Sequence, residues 1–359
     1  MTTMRRSHDQ SETDSLLRAS AREFARERED ARPDTAGNWR AFVEAGWPGM
    51  GLDEASGGLG ADLHQCCLVL QEAGRALLTE SAAADILLAP RLAQRAPAIA
   101  ALMPALLDGK ARFALAGAAE TGFSLSADGR VTGRSALVPG ADRATHLLFL
   151  AEAGEGARFC LAERGTGGLH IHPAPLLDGR TAARIDLDAA DTDEMTVLCT
   201  GKEACGIAAE LEALLLCGAA SEGLGAFEAA FEMTADYVQT RQQFKQPLAS
   251  FQAVEHTIAD VYCELEKFRS LHMAMVSALS EGGTSSSMAV AHARLFHASN
   301  VVQAVGRLIQ ITGGIAVTEE YKLGRIYRRL QSDAALFGGV RRPIEILAGT
   351  PMAKPAPLH

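Results

Sequence analysis

The sequence predicts a multidomain α+β protein. An N-terminal all-α domain covers residues 1–110, a central β-barrel domain 111–200 and a C-terminal four-helix bundle 201–359. Three observations predict it. The chain has 359 residues, enough for two or three packed units of ordinary size. Helical periodicity gives way near Arg112 to short β-rich runs broken by Gly, Pro and Asp, and returns near Lys202. Aromatics make up only 5% of a chain rich in alanine and leucine, which suits helices packed through small side chains.

In chain order, helices are expected at 15–28, 39–45, 63–78 and 82–107. The glycine-rich stretch 49–60 follows no strand and matches no dinucleotide fingerprint, so a surface turn is expected there. Strands are expected at 112–116, 145–150 and 158–162, most simply in a small barrel or sandwich. Helices return at 204–240, 248–281, 285–312, 319–334 and 341–349. Gly282-Gly283-Thr284-Ser285 supplies a stop and a cap, and Pro247 and Pro343 suit first-turn positions. Helices this long need partners along their length, and a four-helix bundle provides them.

Composition narrows the function classes. With 34 basic and 44 acidic residues the formal charge is -10, and no Lys/Arg run forms a basic groove, so a nucleic-acid partner is not expected. The seven cysteines include no C-x-x-C pair and several lie in apolar runs; reduced, buried thiols are expected, with no metal and no disulfide framework. Residues 1–14 are polar and charged without a signal-peptide core. No apolar run reaches the roughly 18 residues of a membrane span, so a cytoplasmic location is expected.

Two motifs carry chemistry. Arg241 and Phe244 sit three residues apart: the planar guanidinium can clamp a phosphate and the ring can lie against a heterocycle. A surface arginine beside a core phenylalanine is the alternative reading. Gln310-Ile311-Thr312-Gly313-Gly314 closes the third long helix; its glycines either stop the helix or let a pyrophosphate approach the backbone.

In this order and spacing the motifs resemble the acyl-CoA dehydrogenase family, and the resemblance spans the whole chain. The stretch 49–60 followed by Gln71-Glu72-Ala73-Gly74-Arg75 is similar to that family's N-terminal domain. Arg241-x-Gln243-Phe244-x-x-Pro247-Leu248, Gln252-x-x-x-His256-x-x-Ala259-Asp260, and Gln310-x-x-Gly313-Gly314 followed by Thr318-x-Glu320-Tyr321 are similar to its C-terminal signature. The resemblance implies that Arg241, Phe244, Gln252, Gln310, Ile311, Thr312, Gly313 and Gly314 contact FAD. Lys245 departs from it, standing where the family usually has Gly.

The family reaction needs a carboxylate that removes the α-proton of an acyl-CoA thioester while the flavin accepts the β-hydride, so the base must reach its carbon directly. Counted along this chain, one family position for that base falls on Phe337 and the alternative on Leu215; neither takes a proton. Glu212, one turn from Leu215, is a candidate displaced base, with a solvated surface acid as the alternative reading. The flavin-facing loop is replaced by Ala116-Gly117-Ala118-Ala119-Glu120-Thr121-Gly122. Ser135-Ala136-Leu137-Val138-Pro139 stands where the family often places a Trp; here the only tryptophans are Trp39 and Trp47.

In the family's tetramers one subunit supplies the base and the ring contacts, and its neighbour the clamp for the ADP half. This chain keeps the second set and lacks the first. The resemblance therefore implies the subunit without the catalytic base of a heteromeric α2β2 acyl-CoA dehydrogenase of fatty acid or steroid side-chain catabolism. Its partners would be an acyl-CoA substrate, a homologous catalytic subunit and an electron-transfer flavoprotein as acceptor. A self-sufficient homotetramer with a displaced base and a non-catalytic acyl-CoA-binding scaffold are the alternatives.

Overall fold

Helices, then strands, then helices follow one another along the chain as the sequence predicts. The computed structural model describes residues 2–28, 35–80, 82–116, 122–152, 156–282, 285–336 and 339–349. It divides into two compact units, Met1–Ala226 and Phe227–His359.

The first unit opens with α1 (Thr2–Arg26), α2 (Thr35–Glu44) and α3 (Leu63–Arg75). Asp62 starts α3 with a capping box: its side chain accepts from the Gln65 amide while the Gln65 side chain accepts from the Asp62 amide. Arg22 of α1 donates two bonds, of 2.9 and 3.0 Å, to the buried Glu72 of α3. The glycine-rich stretch is more than a surface turn. Trp47, Pro48, Gly49 and Met50 are buried, and a Cβ at Gly58 would strike the Leu52 backbone.

The single helix expected over 82–107 is instead a π turn at Ala84–Leu88 followed by α4 (Ala89–Ala93), α5 (Pro97–Ala100) and α6 (Met103–Leu107). Pro90, Pro97 and Pro104 each stand at the first or second position of one of these helices. Pro97 and Pro104 restart the chain after turns, whereas Pro90 sits within an unbroken helical run from 83 to 93, directly after the π turn.

Eight strands follow: β1 (Phe113–Ala116), β2 (Phe123–Leu125), β3 (Arg130–Pro139), β4 (His146–Glu152), β5 (Arg158–Glu163), β6 (Leu169–Pro175), β7 (Thr181–Asp191) and β8 (Thr196–Thr200). They pair in the order β6-β7-β3-β2-β4-β5-β8, with β1 also parallel to β4. The path ends at β6 and β8, so among the described residues the strands form an open sheet where a closed barrel was expected. Its core gathers Phe123, Val131, Leu147, Phe149 and Ile185. A β-bulge interrupts β3 between Arg134 and Leu137; there the Ile185 amide donates to the Ser135 hydroxyl at 2.8 Å.

A buried polar group ties the first helices to the sheet. Arg112 lies between Glu80 (2.5 Å) and Asp85 (3.5 Å), with its guanidinium 3.9 Å from the Trp39 ring. Asp85 accepts from the Phe113 amide at 2.7 Å. Burial pushes the Asp85 carboxyl up to about 6, against the opposing pull of Arg112.

The sheet leads into α7 (Gly201–Thr240), and the division between the two units falls within this helix. By length and composition α7 could cross a membrane, but its apolar window is mostly buried against protein. Where α7 meets α3, side chains are excluded. A Cβ at Gly225 would land on the Gln71 carbonyl, and one at Gly74 on the Glu222 carbonyl.

The second unit holds β9 (Gln242–Gln243), β10 (Gln246–Pro247), α8 (Gln252–Glu281), α9 (Ser285–Phe296), a π turn at His297–Val301, α10 (Val302–Thr312), α11 (Lys322–Ala335) and α12 (Arg341–Ala348). Pro247 does not begin the second long helix as expected. It pairs with Gln242 in a small hairpin, and α8 starts at Gln252 after a 3₁₀ turn. The expected 285–312 helix is interrupted by the π turn, which carries His297 into the interior.

There the Arg294 Nη2 donates to the carbonyls of Asp333 and Leu336, each at 3.0 Å, and so caps the end of α11. His297 is 0% exposed, and no hydrogen bond of good geometry reaches either ring nitrogen. Burial, helped by Arg294, pushes it down to about 4, while Asp333 and the Leu330 backbone oppose. Four of the seven cysteines are buried as expected and all are free thiols, but Cys205 and Cys263 are exposed.

Two outcomes follow from this packing. Gly225→Ala should lower the unfolding free energy by about 3 kcal/mol in a denaturant titration, because overpacking outweighs the gain in helix propensity of about 1 kcal/mol. His297 is neutral when folded and ordinary when unfolded. Its contribution is therefore intact above the unfolded pKa of about 6.5 and lost as pH falls towards 4. The loss is about 3 kcal/mol and should vanish from the stability–pH profile of His297→Phe.

Candidate functional site

The residues singled out for binding all lie in the second unit, on two surface features. The first begins where α7 stops. The Arg241 amide still bonds back to the Tyr237 carbonyl (2.8 Å), while its own carbonyl accepts from the Leu248 amide (2.9 Å). That bond closes the hairpin in which Gln243 faces Gln246 and Gln242 faces Pro247. Two residues remain for the loop, Phe244 (φ 52°) and Lys245 (φ 67°), both left-handed. This is the pattern of a type I′ hairpin turn, which favours Gly, Asn or Asp.

The turn lifts its aromatic residue off the protein. Phe244 is 87% exposed, and among the described residues its one ring contact is edge-on with Phe251, at a centroid separation of 6.1 Å. The core-phenylalanine alternative is therefore excluded. Arg241 and Lys245 are exposed and make no ion pair among the described residues. Gln252, the first residue of α8, is exposed, as are His256 and Asp260 on the next two turns.

The second feature ends α10. Gln310 is exposed and Ile311 half-buried. Thr312 is buried, and its hydroxyl donates to the Leu308 carbonyl at 2.8 Å. Gly313 then turns the chain at φ 77° and ψ -154°. A Cβ added at Gly313 or Gly314 would meet nothing within 4 Å, so the backbone there lies open. The 3₁₀ turn Gly313–Val317 rests on α11 through Gly324, whose Cβ would sit 2.7 Å from the Ala316 carbonyl. No hydrogen bond or ion pair among the described residues joins the hairpin to this turn.

These groups suit an extended ligand with negative charge and a flat ring. Free cations meet phosphates, an exposed ring stacks, and an open glycine backbone admits close approach. Arginine does not accept a proton from carbon, so they bind rather than catalyse.

The positions counted for the base look different. Leu215 is buried on α7, and Glu212 is half-buried one turn away. Phe337 and residues 117–121 lie outside the described residues. The Ser135 hydroxyl is occupied at the β3 bulge.

Sequence reasoning did not single out the outer face of α8, where Ala259, Tyr262, Cys263, Met273 and Ala274 are all exposed. Glu266, Lys267 and Ser270 stand among them on the same side of the helix, so the face is mixed.

Because the Phe244 ring packs on almost nothing, Phe244→Ala should change the unfolding free energy by no more than about 0.5 kcal/mol in a denaturant titration.

Known proteins resemble this chain along most of its length. The family model described as "Acyl-CoA dehydrogenase, N-terminal domain" matches residues 11–94, and "Acyl-CoA dehydrogenase, C-terminal domain" matches 216–348. Acyl-CoA dehydrogenase IpdE2 of Mycobacterium tuberculosis is 29% identical over 312 residues, covering 86% of this chain and 85% of its own length. Among solved structures, a variant of the Tcur3481-Tcur3483 steroid ACAD aligns with a TM-score of 0.82 and 26% identity, over 94% of this chain and 97% of that one. The ChsE4-ChsE5 complex of Mycobacterium tuberculosis shares the fold, with a TM-score of 0.80 and 22% identity over 94% of this chain and 98% of that one.

Proposed function

This chain belongs to the acyl-CoA dehydrogenase family, and from that premise we propose that it is the subunit without a catalytic base in a heteromeric, FAD-dependent acyl-CoA dehydrogenase. One observation carries the reading. Arg241, Phe244, Gln252 and Gln310, suited to the cofactor's ADP half, are exposed, whereas Leu215, counted to an alternative base position, is a buried hydrocarbon.

Bound FAD supplies the hydride acceptor. The chain's own residues bind and orient: Arg241 holds phosphate, the Phe244 ring lies against a flat group, Gln252 and Gln310 donate from two helices, and Gly313-Gly314 gives the backbone room. A homologous partner supplies the carboxylate that takes the α-proton, and an electron-transfer flavoprotein takes the electrons onward. The likeness to a steroid ACAD makes a bulky, steroid-derived acyl-CoA thioester the first substrate class to test. Candidate partners are homologous chains encoded beside this one.

Purified alone, the chain should be nearly colourless and inactive. Purified with its homologous partner, it should carry flavin absorbance and dehydrogenate acyl-CoA with an artificial electron acceptor. Stoichiometric flavin and full activity from the isolated chain would falsify the reading. In that case Glu212→Gln tests the self-sufficient alternative.

A further inference from the structure

Lys245 stands at a backbone position that disfavours it. It is the second residue of a two-residue hairpin loop, at φ 67°, where the left-handed backbone favours glycine and strains any side chain. The side chain gains nothing in return from its own protein: it is exposed and makes no ion pair or hydrogen bond among the described residues. Four residues earlier, at the base of the same hairpin and opposite Leu248, Arg241 is equally exposed and equally unpaired among the described residues. A strained residue that stabilises nothing in its own fold points to a ligand.

We propose that Lys245 is a phosphate-binding residue: its ammonium joins the Arg241 guanidinium in holding the diphosphate of FAD. This rests on the function proposed above and deepens it. Glycine at this position would leave the turn relaxed and the clamp with one cation. Lysine strains the turn and adds a second, on a flexible stem that follows a phosphate wherever it lies. The hairpin closes through the bond between the Leu248 amide and the Arg241 carbonyl, so both cations stand on one rigid element. The acyl-CoA substrate also carries phosphates; the assignment is to the flavin.

The test uses the complex of this chain with its partner, stripped of flavin and titrated with FAD. Lys245→Gly should raise the melting temperature of the chain, because the strain is relieved. In the complex it should weaken FAD binding about tenfold and flatten the dependence of that binding on salt. Lys245→Arg should keep the affinity. Unchanged FAD affinity and salt dependence in Lys245→Gly would overturn the proposal. So would an effect confined to the KM for acyl-CoA, which would place the lysine on the substrate instead. If the unmutated complex holds no flavin, the function proposed above fails with it, and the rise in melting temperature still reports the strain separately.

Discussion

No methyl group fits where α3 crosses α7. Gly74 and Gly225 bring two backbones into contact, each against a carbonyl of the other helix, and the packing of the first unit is arranged around that crossing. Next to it on α3 stands Glu72, buried and paired with Arg22, which holds α1 down. A two-carbon displacement between the helices would separate these groups together. The Gln71-Glu72-Ala73-Gly74-Arg75 stretch is thus a packing motif: its acid and its glycine act on different neighbours from the same turn.

The legible parts of the sequence were those set by local chemistry. The change from helix to strand near Arg112, and back near Lys202, follows side-chain pattern alone, and so does the stop at Gly282. The misplaced elements were those that tertiary context decides. The 82–107 segment breaks into short helices that open at Pro97 and with Pro104, although its hydrophobic pattern reads as continuous. Pro247 fits a helix start as well as a hairpin edge, and only the pairing of Gln242 with it selects the second. The π turn at His297 leaves no compositional trace, because one extra residue in a helix does not change which residue types are present.

The candidate site divides in the same way. Arg241, Phe244 and the Gly313-Gly314 turn were legible because the physical demands on them are severe: a planar cation, a ring and an unobstructed backbone. How far they stand out was not legible. An 87% exposed phenylalanine is a property of the folded surface, which no sequence window contains. The sheet shows the opposite case. Ser135 is polar and lies in the region the resemblance assigns to the flavin ring, yet its hydroxyl completes a β-bulge and is committed to the fold.

The long α7 helix also bears on how the molecule is made. A ribosome that has released the whole sheet, through β8, has not yet released the helix that fills the groove of α3. The first unit is incomplete until residue 226 has emerged, and until then Leu70 lacks the α7 backbone that lies beside it at Gly218. Synthesis therefore includes an interval in which an apolar surface awaits the next few turns of nascent helix. The same connection means that the chain cannot be cut where strand gives way to helix without removing a structural member of the part that came before.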